Sequence, residues 1–272
     1  MKCSKAGQFY GKTNETVFLD GLILNDADYL HDRVDWHYHE NAYFTFILQG
    51  SVLEGNKKAI NECTAGSLLF HHWQDAHYNV GSKEFTRGFH VEIKPSWFAA
   101  FDIPATVTEG SLNIADPAVK ILMYSIFKET KLAGKAGQLA IDALLIEIFG
   151  LLSKATKDAG KRKPQWVNKV KDALHAAPDS WQLIDLARLG NIHPVHLSRD
   201  FPKYFHATLG DYIRSIKIQR ALSLLPNKDL SLTDIAIECD FADQSHFIRS
   251  FKASQQLTPL RYRKLLLKKE PR

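Results

Sequence analysis

Over roughly the first 95 residues, apolar and polar positions come in short runs rather than along a helical stripe. TVFLDGLILN (16–25), YFTFILQGSVLE (43–54), CTAGSLLFHHW (63–73) and RGFHVEI (87–93) are rich in β-branched and aromatic residues and are broken by Gly, Asn and Asp. That rhythm predicts a small antiparallel barrel or sandwich. After Asp116-Pro117, a capping residue followed by a proline suited to a first helical turn, the period changes. Val119, Leu122, Met123, Ile126 and Phe127 follow helical spacing, as do Leu139, Ala143, Ile146, Phe149 and Leu152, with Gly134 and Gly137 punctuating the two helices. The stretch DAGKRKPQW (158–166) combines Gly, Pro and three basic residues and marks a linker. Beyond it the pattern is helical to the end.

With 272 residues, 45% of them hydrophobic, the chain is long enough for two domains with real cores, and wholesale disorder is excluded. The expected boundaries are a barrel over 1–115, a helical dimerisation segment over 116–157, a linker over 158–165 and an all-α domain over 166–272. No apolar run approaches the roughly 20 residues of a membrane span, and the first residues lack a signal-peptide core, so a cytoplasmic protein without membrane contact is expected. Cys3, Cys63 and Cys239 are odd in number and scattered, which excludes a disulfide framework or a CxxC site. Charge changes the picture more. Residues 1–160 carry 15 Lys and Arg against 19 Asp and Glu, whereas residues 161–272 carry 20 against 11. An acidic half is joined to a basic one, as in proteins that pair a polyanion-binding module with a second domain.

The basic half contains a repeat. HLSRDF (196–201) returns as HFIRSF (246–251), fifty residues on, and LIDLA (183–187) has its counterpart in LTDIA (232–236). Each copy reads as helix, turn, helix. In the second helix of each, Leu197 with Phe201 or Phe247 with Phe251 stands at i and i+4, a pair that anchors one face in a core. The opposite face then offers Ser198 and Arg199, or Gln244, Ser245 and Arg249. A helix held rigidly by one face and carrying Arg, Gln and Ser on the other is what reading base edges in a major groove requires. Two of them, joined by DYIRSIKIQRALSLL (211–225), suit successive grooves about one turn of DNA apart, roughly 34 Å.

These residues resemble the AraC/XylS family of bacterial transcription regulators over about residues 166–265, through HLSRDFPKYF, YIRSIKIQRALSLL, SLTDIAIECDFADQSHFIRSFK and LTPLRYR. The resemblance implies double-stranded promoter DNA as partner, a homodimer and contact with RNA polymerase. It places Val195, Ser198 and Arg199 of the first recognition helix, and Gln244, Ser245 and Arg249 of the second, at the bases. Three glycines common in the pattern are replaced by His206, Asp240 and Gln256, and Pro202 stands inside the first recognition helix.

The N-terminal half resembles the cupin-type sensory domain found in that family, through His37-Tyr38-His39, Gly50, Gly66-Ser67-Leu68-Leu69-Phe70 and His77. Histidines at i and i+2 of a strand share a face, and an imidazole on a facing strand would make a third. The metal-binding cupin motif has Glu four residues after its second His; here that residue is Tyr43. The expectation is therefore an effector pocket at His37, His39, Tyr43 and His77 with no metal or other cofactor, a divalent ion at His37, His39 and His77 being the weaker alternative. His71, His72 and His90 show no recognisable spacing. The function expected is a DNA-binding regulator, more in keeping with an activator, controlled by a small molecule in the barrel and without enzymatic activity. The alternative is a metal-dependent cupin enzyme fused to a DNA-binding module.

Overall fold

A computed structural model of the chain describes residues 2–82, 85–104, 110–159, 163–178 and 180–267. Of the linker expected over 158–165, residues 160–162 lie outside the described residues. The chain divides into two units, residues 1–154 with 261–272, and residues 155–260.

The first unit is built on two sheets. One runs in the order β1 (Lys2–Ser4), β4 (Arg33–His39), β9 (His77–Gly81), β6 (Ser51–Asn56), β7 (Ile60–Thr64). The other runs β11 (Leu112–Ile114), β8 (Leu68–His71), β5 (Ala42–Gln49), β10 (Thr86–Ile93), β3 (Leu22–Tyr29), β2 (Lys12–Leu19). A short helix, α1 (Pro95–Ala100), follows β10, and α2 (Pro117–Ala133) and α3 (Gln138–Ala159) form a hairpin around a 3-10 turn at Gly134–Gly137. Asp116 caps α2 by accepting from the Ala118 amide at 2.8 Å, with Pro117 in the first turn.

Two-residue alternation divides the six-stranded sheet into an aromatic face and a polar one. Phe44, Phe46, Phe70 and Phe89 meet Phe149, Tyr124, Phe149 and Phe127 of the hairpin at ring separations of 5.7, 4.6, 5.9 and 5.3 Å. Tyr43, Thr45, His71 and His90 alternate with those phenylalanines along the same strands. Segment Pro117–Lys154 contains a window of mean hydropathy 1.6, apolar enough by composition to cross a bilayer, which counting unbroken apolar runs overlooks. Here it is a broken hairpin whose Val119, Met123, Ile126, Phe127, Ile141, Leu145 and Ile148 are buried. The polar side of that packing is tied by Arg87 of β10, whose Nε donates to Asp26 of β3 at 2.7 Å, while Lys131 of α2 reaches the same carboxylate at 2.6 Å. Burial alone would raise the pKa of Asp26; the hydrogen bond and charge of Arg87, joined by Lys131, hold it below the usual range instead.

The second unit contains α4 (Gln165–Ala176), α5 (Leu183–Gly190), α6 (Pro194–Phe205), α7 (Leu209–Leu224), α8 (Leu232–Glu238) and α9 (Gln244–Gln255), and α10 (Pro259–Leu267) begins at its end. Trp166, Val170, Leu174, Leu186, Leu197, Phe201 and Tyr212 share one core. Ile235, Ala236, Cys239, Phe247 and Phe251 are buried in the later half. Caps set the starts: Ser231 and Asp234 form a reciprocal capping box on α8, and Asp243 accepts from the His246 amide at 2.6 Å on α9.

The repeat extends to the backbone. Asn191 and His206 end α5 and α6 with φ of 50° and 54°; Asp240 follows α8 and Gln256 ends α9, both at 59°. All three positions where the family pattern has Gly therefore keep the left-handed turn that Gly favours, with residues that bear a Cβ and accept its cost. Pro202 does not end α6, which continues to Phe205. It sits in the last turns, where its missing N–H costs a single hydrogen bond, to the Ser198 carbonyl.

Candidate nucleic-acid interface and buried histidine cavity

In α6 and α9 the anchoring pairs lie where the spacing put them, since Leu197, Phe201, Phe247 and Phe251 have no exposed surface. The six residues expected at the bases, Val195, Ser198, Arg199, Gln244, Ser245 and Arg249, are all exposed. Both helices are thus held on one face and open on the other, within a unit whose sequence carries the excess of positive charge. The two faces differ in one respect that the resemblance does not suggest. Arg199 forks onto its neighbour Asp200, with Nε and Nη2 at 3.0 and 3.1 Å from the two carboxylate oxygens, and Lys203 Nζ joins at 2.8 Å. Side-chain hydrogen bonds from Arg199 and Lys203 hold the Asp200 carboxyl below its ordinary pKa. The residue at the equivalent place in the second copy is Ser250, which offers Arg249 no such carboxylate.

In the first unit, β4 and β9 are paired so that His37 stands directly opposite His77. His39 lies two residues along β4 on the same side, and one ligating atom from each of the three imidazoles falls within 4.8 Å of the others. The third imidazole comes from the facing strand, as the spacing suggested. Tyr43 of β5 closes the group, its hydroxyl 3.0 Å from His77 Nε2. All four lie in the wall of a cavity of about 50 Å³.

Three further groups belong to this interior. His71 of β8 stacks on Tyr43 and His77 at 4.6 and 4.7 Å, and its Nε2 is 3.3 Å from Glu54 of β6, a carboxylate only 2% exposed. His90 of β10 stacks on Phe9 at 4.1 Å and lies 3.1 Å from the Tyr29 hydroxyl. Sequence spacing did not single these out. A usable signal was present for Glu54, the one charged side chain in the run YFTFILQGSVLE.

Two tautomers are fixed by local geometry. The Nδ1–H of His37 donates to the Asp35 carbonyl at 2.8 Å and that of His77 to the Asp75 carbonyl at 3.1 Å, which leaves each Nε2 with its lone pair. His39 Nδ1, by contrast, is buried without a hydrogen-bond partner among the described residues. Burial, reinforced by neighbouring imidazoles, pushes His39 far below the ordinary imidazole value and both His77 and His90 down to about 3. Burial also opposes ionisation of Glu54, but the charge and hydrogen bond of His71 outweigh it and bring its pKa to about 2.

A base whose folded pKa is depressed takes up protons more readily in the unfolded chain. The stability contributed by keeping His77 and His90 neutral is therefore complete above about pH 6.5 and is lost as pH falls toward 3. Urea unfolding of the barrel, followed by near-ultraviolet circular dichroism, should show stability falling between pH 6.5 and pH 4.5 by about 1.4 kcal/mol per pH unit for each such histidine. His90→Gln should shallow that slope. An unfolding midpoint constant across this range would contradict the assignment.

Residues 186–265 match a family model described as a helix-turn-helix domain. The transcriptional activator RhaR of Mannheimia succiniciproducens is 23% identical over 245 residues, covering 86% of this chain and 88% of that protein. PqrA of Proteus vulgaris, described as a probable transcription factor, is 38% identical over 68 residues, which cover 25% of this chain and 56% of PqrA. Among solved structures, ToxT of Vibrio cholerae aligns over 90% of this chain and 98% of its own, at 16% identity and a TM-score of 0.38. A duplicated helix-turn-helix with two exposed reading faces thus follows a unit built on two sheets, and the second half of the chain carries a helix-turn-helix domain similar in sequence to those of transcription regulators.

Proposed function

We propose that the barrel is the sensing half of this regulator: a small molecule or ion held at His37, His39, Tyr43 and His77 sets the DNA affinity of the second unit. The observation that carries this reading is the contrast between two polar surfaces of different design. The faces of α6 and α9 are exposed, while His37, His39, Tyr43 and His77 are buried in the wall of a small cavity in the barrel, which suits something small. The regulator works in the cytoplasm as an activator that contacts RNA polymerase, a reading supported by the activator among its relatives. It performs no catalysis; the carboxylate that a cupin enzyme uses as a ligand is replaced by Tyr43.

Base reading is shared unequally by the two repeats. Arg249 is open to fork onto a guanine edge, so Arg249→Ala should weaken binding to a footprinted operator by roughly 1 to 3 kcal/mol at fixed salt and relax preference at one position. Arg199 must first leave Asp200, so Arg199→Ala should cost less. Asp200→Ser, which copies Ser250, should tighten binding and make a subsequent Arg199→Ala as costly as Arg249→Ala. Equal losses in the two single alanine variants, with no effect of Asp200→Ser, would refute the inequality.

The protein forms a homodimer through α3. Ile126 of α2 and Leu145 of α3 are fully buried and serve the fold of a single chain. Apolar surface remains at Leu139, 82% exposed, and at Ile146, 40% exposed, seven residues apart on one face of α3. In analytical ultracentrifugation the full chain should sediment as a dimer at tens of micromolar, and Leu139→Glu with Ile146→Glu should make it a monomer without unfolding it. A monomeric parent chain would remove this interface.

A further inference from the structure

We infer that the first unit carries a second binding site, outside the histidine cavity, for an organic cation: a protonated amine or quaternary ammonium borne on an aromatic or alkyl body. The site is a half-open cavity of about 590 Å³ whose wall shares no residue with that of the histidine group. Its volume falls in the range of roughly 300 to 1,000 Å³ that small organic ligands occupy. Trp73, Ile93, Phe98 and Ile103 make most of the wall apolar, and Glu40 and Asn41 add a polar edge. The described wall holds that one carboxylate and neither Lys nor Arg. A ligand that fills it must therefore match a large apolar surface and a single negative charge, which is the chemistry of an ammonium group on an apolar body.

The wall is fixed by contacts behind it. α1 is held by Trp97, whose Nε1 donates to Asp142 of α3 at 2.8 Å, and the neighbouring Phe98 rests on Phe149 with ring centres 5.3 Å apart. Asn41, only 8% exposed, donates from Nδ2 to Glu92 at 2.7 Å. Trp73 is kept out of the core by a tight turn, in which the Asp75 amide donates to the His72 carbonyl and the Gln74 amide to the His39 carbonyl, each at 3.2 Å. Gln74 takes a φ of 65° there, a conformation that a residue with a Cβ accepts only where its surroundings impose it. The indole is left 48% exposed, although so large an apolar ring gains much from burial. Glu40 is committed at one point, where Oε2 accepts from the Ala6 amide at 3.2 Å. Its other oxygen is available to an ammonium group whose apolar body lies along Trp73 and Phe98. An anionic ligand would meet an uncompensated carboxylate instead, and a neutral one would gain nothing from it.

In isothermal titration the full chain should bind 2-phenylethylamine at one per protein. Its neutral and anionic counterparts, 2-phenylethanol and 3-phenylpropanoate, should bind about 10-fold more weakly or worse, the scale of a hydrogen bond to a charged group. Indole emission should change as the amine is added. That change should vanish in Trp73→Leu, with amine affinity lowered about 3-fold or more. Glu40→Gln keeps an oxygen for the Ala6 amide but loses the charge, so it should bring the amine down to the affinity of the alcohol with circular dichroism unchanged. Equal affinities for the three compounds, an unaltered amine affinity in Glu40→Gln, or no saturable binding of the amine would overturn the site. Indole emission that shifts with protein concentration alone, together with loss of self-association in Trp73→Leu, would assign this face to a second copy of the chain and would equally overturn it.

Discussion

A helix that reads DNA has to be immobile along one side and unencumbered along the other, and in this chain the first condition is met twice by the same contact. Leu197 with Phe201, and Phe247 with Phe251, are wholly buried one turn apart. Without them the exposed Arg, Gln and Ser side chains would be attached to helices free to roll, and base contacts good for a few kcal/mol would be lost to disorder. The turns that deliver each helix are constrained in the same way. Left-handed residues at Asn191, His206, Asp240 and Gln256 fix where each helix of the motif ends. None is Gly, so the positive φ is maintained by surrounding packing rather than by backbone freedom.

The barrel solves an opposite problem. Its six-stranded sheet is apolar toward α2 and α3, and the interior is polar, so that five imidazoles, two tyrosine hydroxyls and a carboxylate are removed from water together. Burying such groups is costly unless each finds a partner. Most do, through backbone carbonyls, Tyr43, Tyr29 and Glu54. The exceptions are His39 and His71, each with a buried Nδ1 that has no hydrogen-bond partner among the described residues. An interior of this kind is poor economy for stability and makes sense as a place where something binds.

Much of this was legible in the sequence because the signals were periodic. The i, i+4 pairs, the fifty-residue repeat, the Asp116-Pro117 helix start and the i, i+2 histidines each translate directly into a face or a boundary, and each stands in the structure as read. The strands that the apolar runs do not mark are those with little apolar content: β4 (RVDWHYH) and β9 (HYNVG) have many exposed or half-exposed positions and are signalled only by their histidines. The apolar hairpin misled in the other direction, since its pattern does not distinguish a residue that faces the sheet, such as Leu145, from one that faces outward, such as Leu139. His71, His90 and Glu54 join the cavity through strand order, which no local spacing encodes.

The account stands or falls on whether the two repeats read DNA together. Selection of bound sequences from random double-stranded DNA by the full chain, at salt high enough to suppress binding to phosphates alone, asks this directly. The account predicts two short enriched elements whose centres lie about one helical turn apart, roughly 10 base pairs. Enrichment of a single element, or none, would contradict it.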